Sequence, residues 1–216
     1  GIVVASTPEQ NAISVAELAI GLMLGLARMI PNADRSTRGG QWERQKFTGV
    51  ELFGKTLGVV GLGRIGFLVA MRAKAFGMKI IAHDSFVSPD SFIVAESGAV
   101  LVSMDELLAQ SDVVSVHVPK TAQAVNLFDA GKFERMKKSA LFINTSRGEV
   151  VDESALIAAL RDKRLAGAAL DVRAKEPPAK SALDERDNGS LMPHVAAFTV
   201  EGQKRVVSSI GRDVSA

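Results

Sequence analysis

The chain has 216 residues, 47% hydrophobic and 23% charged, which is ordinary globular composition and enough for one substantial core. Its 26 Lys and Arg residues nearly balance 24 Asp and Glu residues, and no long run of one sign occurs. Binding to nucleic acid or to a charged membrane surface therefore has little support. Cysteine is absent, which excludes disulfides and thiolate metal sites and fits a reducing, cytoplasmic compartment. We predict no metal site.

The N-terminal quarter contains a long apolar segment, for which we predict a helix over residues 14–30. The apolar stretch 16–27 includes Glu17 and is too short to cross a bilayer, and no charged segment precedes it as in a signal peptide. Residues 39–54 then form a predicted loop-rich connection that carries the only tryptophan, Trp42.

From residue 57 to residue 195, short apolar runs alternate with amphipathic segments, a pattern typical of βαβ units and a parallel sheet. The predicted strands are Leu57–Gly61, Lys79–Asp84, Ala99–Val102, Val113–Val118, Ala140–Thr145 and Ala166–Val172. Most of these runs are almost continuously hydrophobic, which indicates that helices cover both faces of the sheet.

Three helices between these strands have clear end signals. Residues 64–76 place apolar side chains along one stripe, and Gly77 follows as a stop. The segment Ser103–Glu106 reads as a capping box that opens a helix over 105–110. Asp152 is the predicted N-cap of a helix that continues to Lys163.

Residues 61–66 form a glycine motif of the G-x-G-x-x-G type between a predicted strand and a predicted helix. Gly61 would permit the tight turn, Gly63 the close approach of a pyrophosphate, and Gly66 the packing of helix on strand. The motif alone is weak evidence, but this context predicts a dinucleotide site at a helix N-terminus. We therefore predict an α/β fold of the Rossmann type, a doubly wound parallel sheet.

An acidic residue is expected at the end of the second strand to accept hydrogen bonds from the adenosine ribose. Asp84 stands there, 18 residues after Gly66. It is followed by Ser85 and Phe86 and not by arginine, so a 2′-phosphate would meet repulsion without a compensating cation. NAD is favoured over NADP. The alternative is an ordinary surface aspartate beside a glycine-rich turn.

Three further polar segments follow predicted strands, where ligands collect in doubly wound sheets. They are Asn144–Gly148, Asp171 to Pro177 with its Glu176-Pro177 pair, and Pro193–Val195. Taken singly, His194 could be a hydrogen-bonded loop histidine, Arg147 a surface cation and Glu176 a turn residue. Taken together on a dinucleotide fold, they favour an active site.

These segments closely resemble the D-isomer-specific 2-hydroxyacid dehydrogenase family, and within it the 3-phosphoglycerate dehydrogenases. The resemblance spans nearly the whole chain, in order, through Ser14–Leu18, Gly54–Gly58, Gly61–Gly66, Val116–Pro119, Asn144–Gly148, Asp152-Glu153, Asp171-Val172, Glu176-Pro177 and Pro193–Val195. It implies an NAD-dependent oxidoreductase that interconverts a 2-oxo acid and a D-2-hydroxy acid.

The resemblance also implies a role for each site residue. The catalytic group would be Arg147 for the substrate carboxylate and carbonyl, His194 as proton donor and acceptor, and Glu176 to orient that histidine. Asp171 would contact the nicotinamide carboxamide. Arg147 and His194 would also contact the cofactor. The other cofactor contacts would be Gly61, Gly63, Arg64, Ile65, Gly66, Asp84, His117, Val118, Pro119, Thr145, Ser146, Ala196 and Ala197.

Elementary chemistry agrees with the catalytic roles. Hydride delivery to a ketone carbon builds an alkoxide, so the site needs a proton donor that titrates near neutrality, and histidine beside a carboxylate meets that need. A substrate carboxylate is best bound by the planar fork of an arginine. His83 and His117 are expected to be a strand-end residue and part of the adenine-side loop, and neither is expected to act as a base.

The sequence departs from the family pattern at a few positions. Arg173 stands where an aromatic residue is usual, and Gly189-Ser190 and Met192 replace more typical residues before Pro193-His194. These departures leave the identity of the 2-oxo acid open more than the reaction class.

The chain is expected to be a piece of a longer protein, since it opens on Gly1 and residues 206–216 continue a helical pattern. We divide it into residues 1–8, the trailing edge of a substrate domain, residues 9–194, the NAD-binding domain, and residues 195–216, which return toward the substrate domain.

Two other functions stay open at this point: an NAD-sensing co-repressor of the same family and a dinucleotide-binding module without activity of its own. A formate dehydrogenase is disfavoured, because relatives of that kind carry Gln where Glu176 stands. Family members use the helix over 14–30 and the arm with Trp42 to form a two-fold dimer. We expect a homodimer here, because that helix has apolar residues on several sides and is expected to pack on its own domain with one face only. Contact with a substrate domain is the alternative.

Overall fold

The computed structural model describes residues 10–215 along the backbone and side chains through residue 209. Seven strands form one fully parallel sheet in the order β3-β2-β1-β4-β5-β6-β7. The strands are β1 Thr56–Val60, β2 Lys79–His83, β3 Val100–Leu101, β4 Val113–Val116, β5 Leu141–Asn144, β6 Gly167–Leu170 and β7 Gly189–Leu191. The predicted doubly wound fold is confirmed, and each of the six predicted strands overlaps an observed one; β1 begins one residue before its predicted start.

Eight α-helices accompany the sheet in the described part of the chain. They are α1 Ala12–Ala27, α2 Ile30–Arg38, α3 Arg64–Ala75, α4 Phe92–Ser97, α5 Met104–Gln110, α6 Ala130–Arg135, α7 Glu153–Arg161 and α8 Val200–Ser215. Buried side chains of α1 and α3 fill one apolar cluster, and those of α5, α6 and α7 fill the other. The strands contribute to both clusters, as expected for a sheet covered on both faces.

The predicted helix over 14–30 is wrong at its C-terminal end. Helix α1 ends at Ala27, Met29 takes a left-handed conformation with φ 54°, and a second helix begins at Ile30. Pro31 lies in the first turn of α2, where its fixed φ and missing N–H are tolerated. Residues 31–38 are therefore helical, although the sequence pattern did not predict a helix there.

Helix α1 is mostly buried inside its own domain. It contacts α3, β5, β6 and β7, and Ala16, Ala19 and Met23 are fully buried. The expectation that only one face of this helix could pack on its own domain is therefore wrong. Within residues 10–215, no single helix is long and apolar enough for a bilayer; α1 and α2 pass that test only as a pair bent by 63°.

The predicted N-caps and the stop at Gly77 are confirmed, but α7 ends at Arg161, two residues before its predicted end at Lys163. Short elements without such signals were missed. Ser103 and Glu106 form the full capping box of α5, and Asp152 accepts hydrogen bonds from two N–H groups at the start of α7. The three-residue strand β7 and the six-residue helices α4 and α6 were not predicted. Such segments are too short to display a period of their own.

Candidate functional site

The predicted site residues gather along one edge of the sheet. Because all strands are parallel, their carboxyl ends meet at that edge, and the loops that follow β1, β2, β4, β5, β6 and β7 carry the predicted cofactor and catalytic groups. The chain proceeds from β1 through β2 to β3 and then returns to the other side of β1 as β4. This reversal creates the crevice in which doubly wound folds bind ligands.

The glycine loop after β1 has three glycines with different structural reasons. Gly61 has φ 89°, and a Cβ there would lie 2.8 Å from the carbonyl oxygen of His117. A Cβ on Gly66 would overlap the carbonyl oxygen of Gly61. Gly63, by contrast, has an ordinary φ of −75°, and a Cβ there would have no atom of the described residues within 4 Å. The protein itself thus requires the first and third glycines and leaves the second facing open space.

That open space suits a dinucleotide. Gly63 is the N-cap of the twelve-residue helix α3 and has no side chain to cap it, so no N-cap side chain competes with an anion at this helix N-terminus. A buried hydroxyl, Thr145 Oγ1, lies after β5 at the same edge of the sheet and has no hydrogen-bond partner among the described residues. A ligand with phosphates and a polar ring substituent fits both features.

Asp84 ties the end of β2 to the glycine loop. One carboxylate oxygen accepts a hydrogen bond of 2.8 Å from the N–H of Leu62, and the other accepts one of 2.8 Å from the N–H of Phe86. The side chain is thereby fixed beside the turn at Gly61 to Gly63. A carboxylate has lone pairs beyond these two bonds, so it can also accept from a ribose hydroxyl.

His117 lies directly after β4, and its backbone carbonyl lies close to Gly61 in the glycine loop. Its Nε2 is 2.8 Å from Ser115 Oγ, and its Nδ1 is buried without a partner among the described residues. Burial lowers the pKa of His117 to about 3, so the ring is neutral near pH 7. Val118 is half-buried beside it and Pro119 is exposed. His83, at the end of β2, contacts the carbonyl oxygen of Val102 at 3.1 Å.

The loop after β5 is organised by Asn144. Its amide oxygen accepts from the N–H and the hydroxyl of Ser146 at 3.0 and 2.8 Å, and its amide nitrogen donates to the carbonyl of Arg147 at 2.9 Å. The Arg147 side chain is exposed and donates to the Ser146 carbonyl at 2.6 Å. The local network therefore fixes the backbone and leaves most of the guanidinium accessible.

Asp171 holds the histidine loop. It is 1% exposed, and its two carboxylate oxygens accept from the N–H groups of Val195 and Ala196 at 2.8 and 2.9 Å. Its own carbonyl accepts from the N–H of His194 at 2.8 Å. These bonds stabilise the left-handed conformation of His194, which has φ 56° and which few residues other than glycine adopt.

His194 and Glu176 form a hydrogen-bonded pair. His194 Nδ1 lies 2.7 Å from Glu176 Oε2, and Glu176 Oε1 accepts from the N–H of Arg173 at 2.9 Å. Burial opposes ionisation of Glu176, but the hydrogen bonds from His194 and Arg173 outweigh it and lower the pKa of the carboxyl. With Nδ1 engaged, Nε2 is the ring nitrogen that can exchange a proton with a ligand.

A cavity of about 460 Å³ adjoins this pair. Its lining includes Asp171, Glu176 and His194, so the structure brings these three predicted residues together, and Met192 lines the same cavity. Arg147 is not among the lining residues. The remaining predicted cofactor contacts lie at the same strand ends: Ile65 is half-buried at the start of α3, Ala196 is buried, and Ala197 is half-buried after the histidine.

One polar cluster beside the site was not predicted from the sequence. Arg173 is only 8% exposed and is bound by Glu153, Ser181 and Asp184. The sequence did show that arginine stands where the family usually has an aromatic residue. It did not show that this arginine is buried.

Comparison with known proteins identifies the family. Residues 20–196 match the model of the D-isomer specific 2-hydroxyacid dehydrogenase NAD-binding domain. The chain is 50% identical over 215 residues to D-3-phosphoglycerate dehydrogenase of Archaeoglobus fulgidus, covering 99% of this chain but 40% of that protein. The chain therefore spans well under half the length of this curated relative.

Solved structures agree with that assignment. A glyoxylate reductase from Paecilomyes thermophila superposes with a TM-score of 0.91 at 37% identity, over 100% of this chain and 65% of that one. D-lactate dehydrogenase from Aquifex aeolicus, complexed with NAD and lactic acid, gives 0.90 at 33% identity, over 100% and 69%. The chain belongs to the D-isomer-specific 2-hydroxyacid dehydrogenase family and carries its NAD-binding domain.

The glycine loop generates a prediction that separates folding from binding. Gly63→Ala should change the free energy of unfolding by less than about 0.5 kcal/mol, since its Cβ meets no atom, yet weaken NADH binding about tenfold or more. Gly66→Ala should destabilise the fold by about 1–3 kcal/mol, because the methyl group overlaps backbone. Denaturant unfolding and fluorescence titration with NADH measure the two effects.

Gly21→Ala is the matched control, since Gly21 is exposed in α1 and its Cβ would also meet no atom within 4 Å. It should leave NADH affinity unchanged. Full NADH affinity in Gly63→Ala would contradict close approach of the dinucleotide at that residue.

Proposed function

We propose that the full-length protein is an NAD-dependent oxidoreductase that interconverts a 2-oxo acid and a D-2-hydroxy acid. The observation that carries the proposal is the 2.7 Å pair of His194 and Glu176, held at the strand ends of an NAD-binding domain. Supporting it, relatives and structural neighbours are named as phosphoglycerate dehydrogenase, glyoxylate reductase and lactate dehydrogenase, which all act on such acids.

The acid–base step follows from the geometry of the pair. NAD, when bound, supplies or accepts the hydride. His194 donates a proton from Nε2 to the oxygen of the 2-oxo group in reduction and takes it back in oxidation. Glu176 accepts from Nδ1 at 2.7 Å, which fixes the tautomer and stabilises the imidazolium. Arg147, exposed at the end of β5, binds the substrate carboxylate with its planar fork.

The cofactor contacts proposed for this chain occupy the crevice on both sides of β1. Gly61, Gly63, Arg64, Ile65 and Gly66 would hold the pyrophosphate, and Asp84 the adenosine ribose. The other proposed contacts are His117, Val118 and Pro119 on the adenine side, and Thr145, Ser146, Asp171, Ala196 and Ala197 around the nicotinamide. Asp171 already accepts two backbone N–H groups, so a carboxamide would use its remaining lone pairs.

The catalytic assignment predicts distinct effects for two variants of the full-length protein. His194→Ala should lower kcat by about two to four orders of magnitude, the range for a lost general acid, while NADH still binds. Arg147→Ala should lower kcat/KM for the oxo acid and leave NADH affinity nearly intact. Steady-state kinetics with a panel of 2-oxo acids, together with NADH titration, measure both.

His83→Ala serves as the control, since His83 lies at the end of β2 and contacts a backbone carbonyl. It should retain most of the turnover. If His194→Ala kept wild-type kcat, another group would have to be the proton donor.

The cofactor preference follows from Asp84, whose carboxylate is fixed by the N–H groups of Leu62 and Phe86. A 2′-phosphate would meet this negative charge with no cation immediately after it. We expect NADH to bind more than about tenfold more tightly than NADPH. This difference in binding free energy is larger than one hydrogen bond typically contributes. Asp84→Asn, which keeps the side-chain shape, should narrow the difference. Equal affinities for the unaltered chain would contradict the role of Asp84.

We also propose that the chain carries connections to a substrate domain at both ends. Residues 1–9 lie outside the described residues. Residues 195–215 pass the N-terminal end of α1: Thr199 Oγ1 lies 2.7 Å from Ser14 Oγ, and Arg205 Nε donates to the carbonyl of Gln10 at 2.9 Å. These contacts support two adjacent chain crossings between the domains. We also propose that the protein is located in the cytoplasm.

A homodimer remains a proposal, with a different basis from the one expected. Helix α1 is largely buried by its own domain. The apolar groups that need a partner therefore lie in the segment after it, residues 30–54, which we call the arm. Ile30, Trp42, Val50 and Phe53 are 54, 81, 53 and 76% exposed. Four large apolar side chains this exposed within one segment of the chain support an interface there.

Light scattering tests this proposal. The measured mass should be about twice that of one 22.9 kDa chain at micromolar concentration. Trp42→Glu should shift it toward the monomer, whereas Phe86→Glu, at a residue 97% exposed outside the arm, should not. A monomeric mass for the unaltered chain would leave a substrate domain as the partner of the arm.

A further inference from the structure

Arg173 is a buried cation beside the proposed active site, in the chain segment that joins Asp171 to Glu176. It lies two residues after Asp171 and three before Glu176, and it is 8% exposed. A buried charge is costly unless it is paired and hydrogen-bonded, so its partners carry information about its role.

The guanidinium is held on three sides. Its Nε and Nη2 donate to the two carboxylate oxygens of Glu153, both at 3.0 Å, in the fork geometry that arginine favours. Nη2 also donates to Ser181 Oγ at 3.1 Å, and Nη1 lies 3.6 Å from an oxygen of Asp184. The side chain thus joins the first turn of α7 to the loop over 181–184.

The backbone at Arg173 contacts the Glu176 side chain and the loop that carries Arg147. Its N–H donates to Glu176 Oε1 at 2.9 Å, and the next N–H, of Ala174, donates to Glu153 Oε1 at 2.8 Å. A Cβ on Gly148, the residue after Arg147, would overlap the carbonyl carbon of Arg173. The position of this backbone therefore affects the orientation of Glu176 and the packing of the arginine loop.

The charges of the pair support a fixed arrangement. Burial opposes ionisation of Glu153, but hydrogen bonds from Arg173 and Ala174 outweigh it and lower the pKa of the carboxyl. The hydrogen bond to Glu153 raises the pKa of Arg173. Both groups are charged near pH 7. Removal of Glu153 takes the bidentate partner from the buried Arg173, and removal of Arg173 leaves the half-buried Glu153 with the N–H of Ala174.

We propose that Arg173 is a positioning residue for the acid–base pair. Glu153, Ser181 and Asp184 fix its guanidinium, so its N–H is held against Glu176 Oε1 and Glu176 Oε2 is directed at His194. This inference rests on the proposed function. The alternative is that the cluster only stabilises the fold and has no specific effect on Glu176.

A double-mutant cycle in the full-length protein separates the two. Arg173→Met keeps the length of the side chain and removes its charge, and Glu176→Gln weakens the bond to His194. If Arg173 acts through Glu176, Arg173→Met should lower kcat about tenfold or more in the unaltered background and less than about twofold in the Glu176→Gln background. NADH affinity and KM should change by less than about threefold, because the effect is on the proton donor.

Arg161→Met is the matched control, because Arg161 makes a bidentate pair with Asp162 on the exposed side of α7, at 2.7 and 3.0 Å. It should leave kcat unchanged. Arg173→Lys, which can pair with Glu153 but lacks the fork, should recover part of the loss seen in Arg173→Met. If Arg173→Met does not fold, Glu153→Gln replaces it in the cycle, since it keeps an acceptor for the N–H of Ala174.

The outcomes distinguish this inference from the proposed function. Equal losses of kcat from Arg173→Met in both backgrounds, or no loss in either, would overturn the positioning role while Glu176→Gln still showed a large loss of its own. Full turnover in Glu176→Gln would overturn the role of Glu176 in the proposed function, and the role of Arg173 with it.

Discussion

The parallel direction of all seven strands is the constraint on which the rest of the molecule depends. Each strand must be followed by a crossover, so the loops at the carboxyl ends collect along one edge while helices cover both faces. The return from β3 to β4 beside β1 opens the crevice at that edge. Close backbone contacts keep the crevice in shape: Gly61 lies against the carbonyl of His117, and Gly66 against the carbonyl of Gly61.

Carboxylates that accept backbone N–H groups fix the loops that carry the site. Asp84 binds the glycine loop at Leu62, Asp171 binds the histidine loop at Val195 and Ala196, and Glu176 binds the N–H of Arg173. Hydrogen bonds from backbone N–H to a charged acceptor are stronger than neutral ones. The three acidic side chains thus fix backbone positions of the loops, and Glu176 also pairs with His194.

The acid–base pair depends on partners spread over a long stretch of sequence. His194 takes its backbone conformation from Asp171 and its side-chain partner from Glu176, which is in turn oriented from Arg173. Glu153, from the start of α7, completes the set by binding Arg173 and Ala174. His194, the proposed proton donor, is therefore held by a network that joins α7, the end of β6 and the loop before α8.

The sequence by itself determined the elements that have a long period or a specific end signal. The glycine motif between β1 and α3, Asp84 after β2, the capping box at Ser103 and the N-cap at Asp152 all follow from local rules, so the fold and the edge that carries the site were predictable. The family pattern added the pairing of Glu176 with His194.

Only the tertiary structure decided what depends on long-range packing. Strand β7 exists because it pairs with β6, and helix α1 is buried because α3 and three strands surround it, neither of which a local pattern encodes. The burial of Arg173 among Glu153, Ser181 and Asp184 likewise joins residues up to 31 positions apart, counted from Glu153 to Asp184. Local sequence rules describe neighbours along the chain, whereas burial and ion pairing depend on which segments the fold brings together.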